Sequence, residues 1–170
     1  MAASAASLAG CLEDDSITAD EERETGGSDV TVTELDPAEI DASLFLYDEE
    51  WDLEVPEDVS ASKAIRIGSS DVSHDAVVLA ESPRLDTSLV VRDSAGTAIR
   101  ELSVELLPSA YALIRFETPD EYAIELEAES VAGTVDVDEE FVDCNRSVHA
   151  ILVRDDSDVE SAYATELADC

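Results

Sequence analysis

From about residue 59 to the C-terminus, short apolar runs alternate with polar residues and end at turn residues. The clearest run is 121–128, in which every second residue is apolar and most of the others are glutamates. A period of two places successive side chains on opposite faces, so this run predicts a β-strand with one buried face. Further runs lie at 65–67, 76–80, 89–91, 102–106, 112–117, 133–138, 147–154 and 160–168.

This pattern predicts an all-β fold. Strands with an apolar face and an acidic face are expected to form two antiparallel sheets that pack together and keep one wet face each. About seven to nine strands at this spacing resemble an immunoglobulin-like β-sandwich. That likeness covers residues 59–170 and carries no binding residues with it.

The residues before the sandwich fall into segments of different composition. Residues 13–36 are acidic and lack a sustained period, which is typical of a disordered tether. In 37–58, Pro37 can open a short helix, and Leu44–Tyr47 with Trp51 form the richest aromatic cluster. We expect 37–58 to pack onto the domain, with an exposed binding patch as the alternative.

Acidic residues dominate the charge of the chain. Nine basic residues face 43 acidic ones, which gives a net charge of −34. Such a chain repels nucleic acid and anionic lipid headgroups, so neither is expected as a direct partner. At molar salt the Debye length falls to about 3 Å and the self-repulsion is screened. The composition therefore indicates adaptation to concentrated salt, with an acidic tail on an ordinary protein as the alternative.

The first residues form a small, apolar stretch that ends in Leu8-Ala9-Gly10-Cys11 and is followed at once by acids. This tetrapeptide resembles the lipobox of haloarchaeal lipoproteins. The resemblance implies that 1–10 is a signal peptide remnant, with its charged region expected upstream. It also implies that 11–36 is a linker whose Cys11 carries a lipid anchor. The alternative is a lone cysteine in a frayed terminus.

The other two cysteines are expected to pair in an oxidising compartment. A hairpin centred on Ser157 would place Cys144 opposite Cys170, and the disulfide would stabilise the fold by about 3 kcal/mol. A copper site built from Cys144, His149 and His74 is the alternative. It lacks an axial methionine, because Met1 is the only one. No metal and no cofactor are therefore predicted.

Asn145 begins the only glycosylation sequon, although a turn residue is an equal alternative. No nucleophile motif, phosphate-binding loop or suggestive Ser-His spacing is found, so no catalytic residue is predicted.

The sequence as a whole predicts a non-enzymatic binding or structural module. We expect it on the cell surface, held to the outer face of the cytoplasmic membrane by a lipid on Cys11, with an unknown protein or envelope partner. The alternatives are an accessory subunit of a membrane transport or redox complex and an envelope hydrolase that uses paired carboxylates.

Overall fold

The computed structural model of the chain describes residues 30–40, 59–81, 84–129, 131–154 and 158–166. Within these ranges there are ten β-strands and two short 3-10 helices. The strands are β1 (Val32–Glu34), β2 (Ser60–Gly68), β3 (His74–Ala80), β4 (Leu85–Arg92), β5 (Ala98–Leu106), β6 (Ala110–Glu117), β7 (Tyr122–Ala128), β8 (Val131–Val137), β9 (Arg146–Val153) and β10 (Val159–Glu166). The 3-10 helices are η1 (Pro37–Glu39) and η2 (Glu139–Phe141).

The strands form two sheets that enclose a common core. The larger sheet has the order β1-β2-β6-β3-β9-β10, and the smaller has the order β5-β4-β7-β8. Apolar side chains from both sheets pack into one buried cluster between them. The prediction of an all-β sandwich is confirmed.

Strand number and direction differ from the prediction. Ten strands are present in the described ranges instead of seven to nine, and β1 lies inside the segment predicted as linker. The larger sheet is mixed, because β2 pairs with β6 and β3 pairs with β9 in parallel. Both β6 and β9 follow a strand of the smaller sheet, so their direction depends on how the chain returns. The alternation of apolar and polar residues within a strand does not determine the direction in which the chain re-enters the sheet.

The core between the sheets follows from the period of two. On β7, Tyr122, Ile124 and Leu126 are buried and belong to the inner cluster, whereas the residues between them are partly or fully exposed. Burying a large apolar side chain contributes roughly 1.5–3 kcal/mol. The acid-outward pattern therefore holds for the smaller sheet.

The larger sheet departs from that pattern because both of its faces are apolar. All seven residues of β3 are buried. On the outer face of the larger sheet the buried residues form a second cluster, which contains Ala64, Val77, Leu79, Tyr111, Leu113, Val148 and Leu152. The expectation of one wet face per sheet is thus wrong for the larger sheet. A central strand that is covered on both sides reads as a continuous apolar run, as 76–80 does.

The short helix predicted at Pro37 is present as η1. The Asp36 side chain caps it by accepting a hydrogen bond from the Ala38 amide. Ile40 follows it and packs against the second cluster. The aromatic residues of 41–58 lie outside the described residues, so the predicted packing of that cluster stays a prediction. Cys11 and residues 1–29 also lie outside them. Within the described part, no helix is long and apolar enough to cross a membrane.

The β9–β10 hairpin has a different register from the predicted one. Val153 pairs with Val159 and Arg146 pairs with Glu166, so the hairpin is centred on residue 156. The predicted centre at Ser157 is therefore wrong by one residue. Cys144 is disulfide-bonded. Its partner lies outside the described residues, so the pairing with Cys170 stays a prediction.

Candidate functional site

Two histidines and a serine meet at one end of the core. His74 is the first residue of β3, and Ser147 and His149 lie on the neighbouring β9. The parallel register pairs His74 with Ser147 and Ala76 with His149. All three polar side chains lie on the inner face, because they alternate with residues of the outer cluster such as Val148. They are buried, with exposures of 0% for His74, 4% for Ser147 and 6% for His149.

A single chain of hydrogen bonds connects the three side chains. The Ser147 hydroxyl donates to the carbonyl oxygen of Phe141 at 2.8 Å. His74 Nδ1 lies 2.7 Å from Ser147 Oγ, and His149 Nδ1 lies 2.9 Å from His74 Nε2. We call this chain the His–His–Ser chain.

The donors and acceptors along this chain determine which ring nitrogen of each histidine carries the proton. Ser147 has one hydroxyl proton and gives it to Phe141, so it accepts from Nδ1–H of His74. A neutral His74 then has a lone pair on Nε2, and His149 donates to it through its own Nδ1–H. Both neutral rings thus carry their proton on Nδ1, and His149 Nε2 is left as an acceptor.

Aromatic rings surround the pair. Phe141 of η2 lies with its ring centroid 5.6 Å from that of His74 and 5.1 Å from that of His149. Phe116 of β6 closes the core side at 6.4 Å from His74. Tyr163 of β10 lies 5.6 Å from His149 and is 62% exposed, so it forms the rim of the site.

This apolar setting disfavours the charged forms of both rings. Burial, and to a smaller extent the neighbouring His149, lower the pKa of His74 to about 3. Burial also lowers the pKa of His149, against an opposing effect of the Asp138 carboxylate. Both histidines are therefore neutral at neutral pH.

The order serine, histidine, histidine has the connectivity of a nucleophilic triad. Two observations oppose that use. The serine proton is held by the Phe141 carbonyl, and His74 donates to Ser147 instead of accepting from it. Ser147 is also buried, whereas a nucleophile must reach its substrate. The arrangement as it stands ties η2 to β9 and β3.

Metal binding was the alternative for His74, His149 and Cys144. Among the described residues no group of three or more His, Cys, Asp or Glu side chains could hold a metal ion. Cys144 is exposed, precedes β9 and is disulfide-bonded. His74 already uses both ring nitrogens in hydrogen bonds.

Asn145 lies in a tight turn just before β9. Its backbone amide and its side-chain amide both donate to the Asp143 carboxylate, at 2.8 Å and 2.6 Å. This is the geometry of an Asx-type turn formed by the side chain of Asp143. Glycosylation of Asn145 stays a prediction.

A second candidate surface is the outer face of the smaller sheet. An open cavity of about 640 Å³ on this face is lined by four carboxylates, from Asp86, Glu105, Glu127 and Glu129. Asp86 and Glu105 are direct cross-strand partners, and Arg84 forms an ion pair with Glu105. This acidic face is exposed to solvent.

The sequence did not reveal the His–His–Ser chain. His74 and Ser147 are 73 residues apart, and they meet only because β3 and β9 pair in parallel. The one available signal was His74, a polar residue close before the apolar run 76–80 that indicates a buried strand. Among known proteins, no family model and no curated protein matches this chain.

Proposed function

We propose that this chain is a lipid-anchored, extracytoplasmic surface protein whose sandwich serves as a non-catalytic binding or structural module. The acidic outer face of the smaller sheet is the observation that supports it best. Every strand of that sheet buries one face, and the opposite face bears carboxylates such as Asp86, Glu101 and Glu127. A surface of this kind keeps a domain soluble and repels other anionic surfaces.

The anchor is proposed from the front of the chain. Leu8-Ala9-Gly10-Cys11 offers small residues before a thiol, and acidic residues follow directly. A lipid on Cys11 would hold the acidic domain at the membrane without a contact between protein and headgroups, which the net charge of −34 disfavours. Concentrated salt outside the cell would screen the self-repulsion of the domain.

The anchor can be tested by the intact mass of the protein extracted from native membranes without reduction. The expected chain begins at Cys11, carries a lipid and lacks two hydrogens because Cys144 and Cys170 are joined. Replacing Cys11→Ser is expected to move the protein from the membrane to the soluble fraction. Cys144→Ser is the matched control and should leave it on the membrane. An unmodified chain that starts at Met1 with three free thiols would contradict the proposal.

The non-catalytic part of the proposal can be tested at Ser147. Because its proton is bound to Phe141 and its side chain is buried, a serine-reactive fluorophosphonate is expected not to label it. Labelling that disappears in Ser147→Ala and persists in Ser161→Ala would show an activated nucleophile and overturn this part. Ser161 is a suitable control because it is exposed on β10.

Co-purification distinguishes a binding module with varied or envelope partners from an accessory subunit with one fixed protein partner. A module that presents its face to varied or envelope partners is expected to leave the membrane in detergent as a single species. A stoichiometric protein partner that survives molar salt would favour the accessory-subunit alternative. Its loss on replacing Asp86→Asn and Glu127→Gln together would place the contact on the acidic face, where both residues line the cavity.

A further inference from the structure

We propose that the His–His–Ser chain is an acid-sensitive latch: it closes the η2 end of the sandwich while the two rings together carry at most one positive charge, and it opens when both are charged. The inference does not depend on the proposed function. It rests on the geometry of the pair, on its burial and on the direction of its hydrogen bonds.

The latch has one entry for a proton. Ser147 and His74 direct their donors along the chain toward Phe141, and His149 Nδ1–H points at His74 Nε2. The remaining lone pair is on Nε2 of His149, whose ring centroid lies 5.6 Å from that of the exposed Tyr163. A proton that binds there can be passed on by transfer of the Nδ1 proton of His149 to Nε2 of His74. The hydrogen bond between the rings survives this step with its direction reversed.

A second proton cannot be accommodated without separation of the rings. With both rings charged, His149 Nδ1 and His74 Nε2 would each carry a hydrogen, and these two atoms are 2.9 Å apart. Two like charges would also face each other in an apolar site. The two rings must therefore separate before both become charged. The two imidazolium charges reach water only if this end of the core opens.

Few other charged groups act on the pair from the elements packed around it. β6 contributes the uncharged Phe116, and β10 contributes the Tyr163 phenol. η2 contributes Phe141, and the Asp138 carboxylate at its N-cap favours the charged form of His149. Asp138 therefore helps the first proton to bind.

Two further groups lie nearby and do not contact the rings. The Tyr122 phenol stacks on Phe116 and donates to the Thr118 carbonyl at 2.7 Å. The Asp75 and Arg115 side chains alternate with His74 and Phe116 along their strands, so their ion pair lies on the other face of the sheet.

The moving part is the segment from η2 to the start of β9. η2 contains three residues, and its contacts to the rings are those of Phe141. The Ser147 hydroxyl bond to the Phe141 carbonyl fixes its backbone. The rest of β9 is held by β3 on one side and β10 on the other. Opening is therefore expected as a local event instead of global unfolding.

The sign of the pH effect follows from the lowered pKa values. When the segment opens, the two histidine rings reach water and titrate near their ordinary pKa of about 6.5. In the closed state the pKa of His74 is about 3 and that of His149 is lowered. The open state thus binds more protons, so the closed state is fully stable above about pH 6.5 and weakens as the pH falls toward the closed-state pKa.

Amide hydrogen exchange of residues 141–149 tests the latch on the full chain in molar potassium chloride. Between about pH 7 and about pH 5, carboxylates remain mostly ionised and histidines titrate. After correction for intrinsic exchange, the logarithm of the opening constant is expected to rise as the pH falls, with a limiting slope between one and two per pH unit. His74→Gln or His149→Gln alone should lower this slope to one or less, and the double variant should abolish it. A flat wild-type profile, or a slope retained in the double variant, would overturn the latch.

Nitrogen-detected NMR of the wild-type rings gives an independent test that needs no variant. The chain has only two histidines, so the spectrum contains two ring systems. At neutral pH both rings are expected to be neutral with the proton on Nδ1, which is the minor form in free histidine. On acidification at most one imidazolium should form while η2 stays closed. Two imidazolium rings in a chain whose 141–149 amides remain protected would contradict the proposal.

Discussion

At the scale of single residues, the Asp75–Arg115 pair shows how this acidic chain uses its few basic side chains. Arg115 makes two hydrogen bonds of 2.8 Å to the two carboxylate oxygens of Asp75, across the β3–β6 register. The hydrogen bond and charge of Asp75 raise the pKa of Arg115 against the opposing effect of burial. Asp75 is only 6% exposed, so this carboxylate depends on its partner.

Replacing Asp75→Asn is expected to destabilise the fold by about 2 kcal/mol, because a half-buried guanidinium loses its counter-charge and one charged hydrogen bond. Chemical denaturation at fixed molar salt measures this. Asp86→Asn is the matched control, since Asp86 is exposed on β4, and it should change the unfolding free energy by less than about 0.5 kcal/mol. Equal effects of the two changes would contradict the special role of Asp75.

At the scale of elements, the end of β2 depends on a glycine. Gly68 has a positive φ of 102°, and its amide donates to the carbonyl of Thr31 at 2.8 Å, just before β1. A Cβ built there would lie 2.3 Å from Thr118 Oγ1 and 2.8 Å from the Glu117 carbonyl carbon. Close packing of β2 against the end of β6 therefore requires the absence of a side chain.

Gly68→Ala is expected to cost about 3 kcal/mol, from the left-handed backbone and from overpacking against Glu117 and Thr118. Gly96→Ala separates the two causes, because Gly96 has φ of 76° but no atom within 4 Å of its Cβ position. That control should cost only about 1 kcal/mol. Thermal unfolding of both variants measures the difference, and the same loss in both would show that steric contact at Gly68 is unimportant.

At the scale of the whole molecule, the chain carries a net charge of −34. Among the described residues, most ion pairs are exposed or partly exposed, such as Arg92 with Glu125 at 2.8 Å on the smaller sheet. That pair raises the pKa of Arg92 and lowers the pKa of Glu125, chiefly through the hydrogen bond between them. Exposed pairs contribute little each, so screening by salt has to offset most of the repulsion.

The unfolding free energy is expected to rise by about 2 kcal/mol or more between about 0.1 M and about 2 M potassium chloride, as many weak repulsions are screened. Replacing the exposed Asp86→Asn, Glu101→Gln and Glu127→Gln together should flatten this dependence. Sucrose at equal osmolality is the control for excluded-solute effects. A stability that does not change with salt would contradict the interpretation of the charge as an adaptation.

The pattern of alternating residues was sufficient to predict the strands and the class of fold. Most of the predicted runs coincide with strands, and the 121–128 run lies on β7 almost residue for residue. Alternation is a local property, because backbone geometry alone fixes which side chains share a face. The hairpin register was predicted wrongly, because a turn of one residue more or less shifts every pair and the 155–157 sequence does not select its length.

By itself the sequence determined a β-rich acidic domain and its charge, since strand alternation and composition are properties of the chain itself. Only the tertiary structure decided that the larger sheet is mixed and apolar on both faces, and that His74 meets Ser147 and His149. Contacts between residues this far apart depend on the path by which each strand returns to its sheet. Burial and hydrogen bonding then make two ordinary histidines into a neutral, coupled pair.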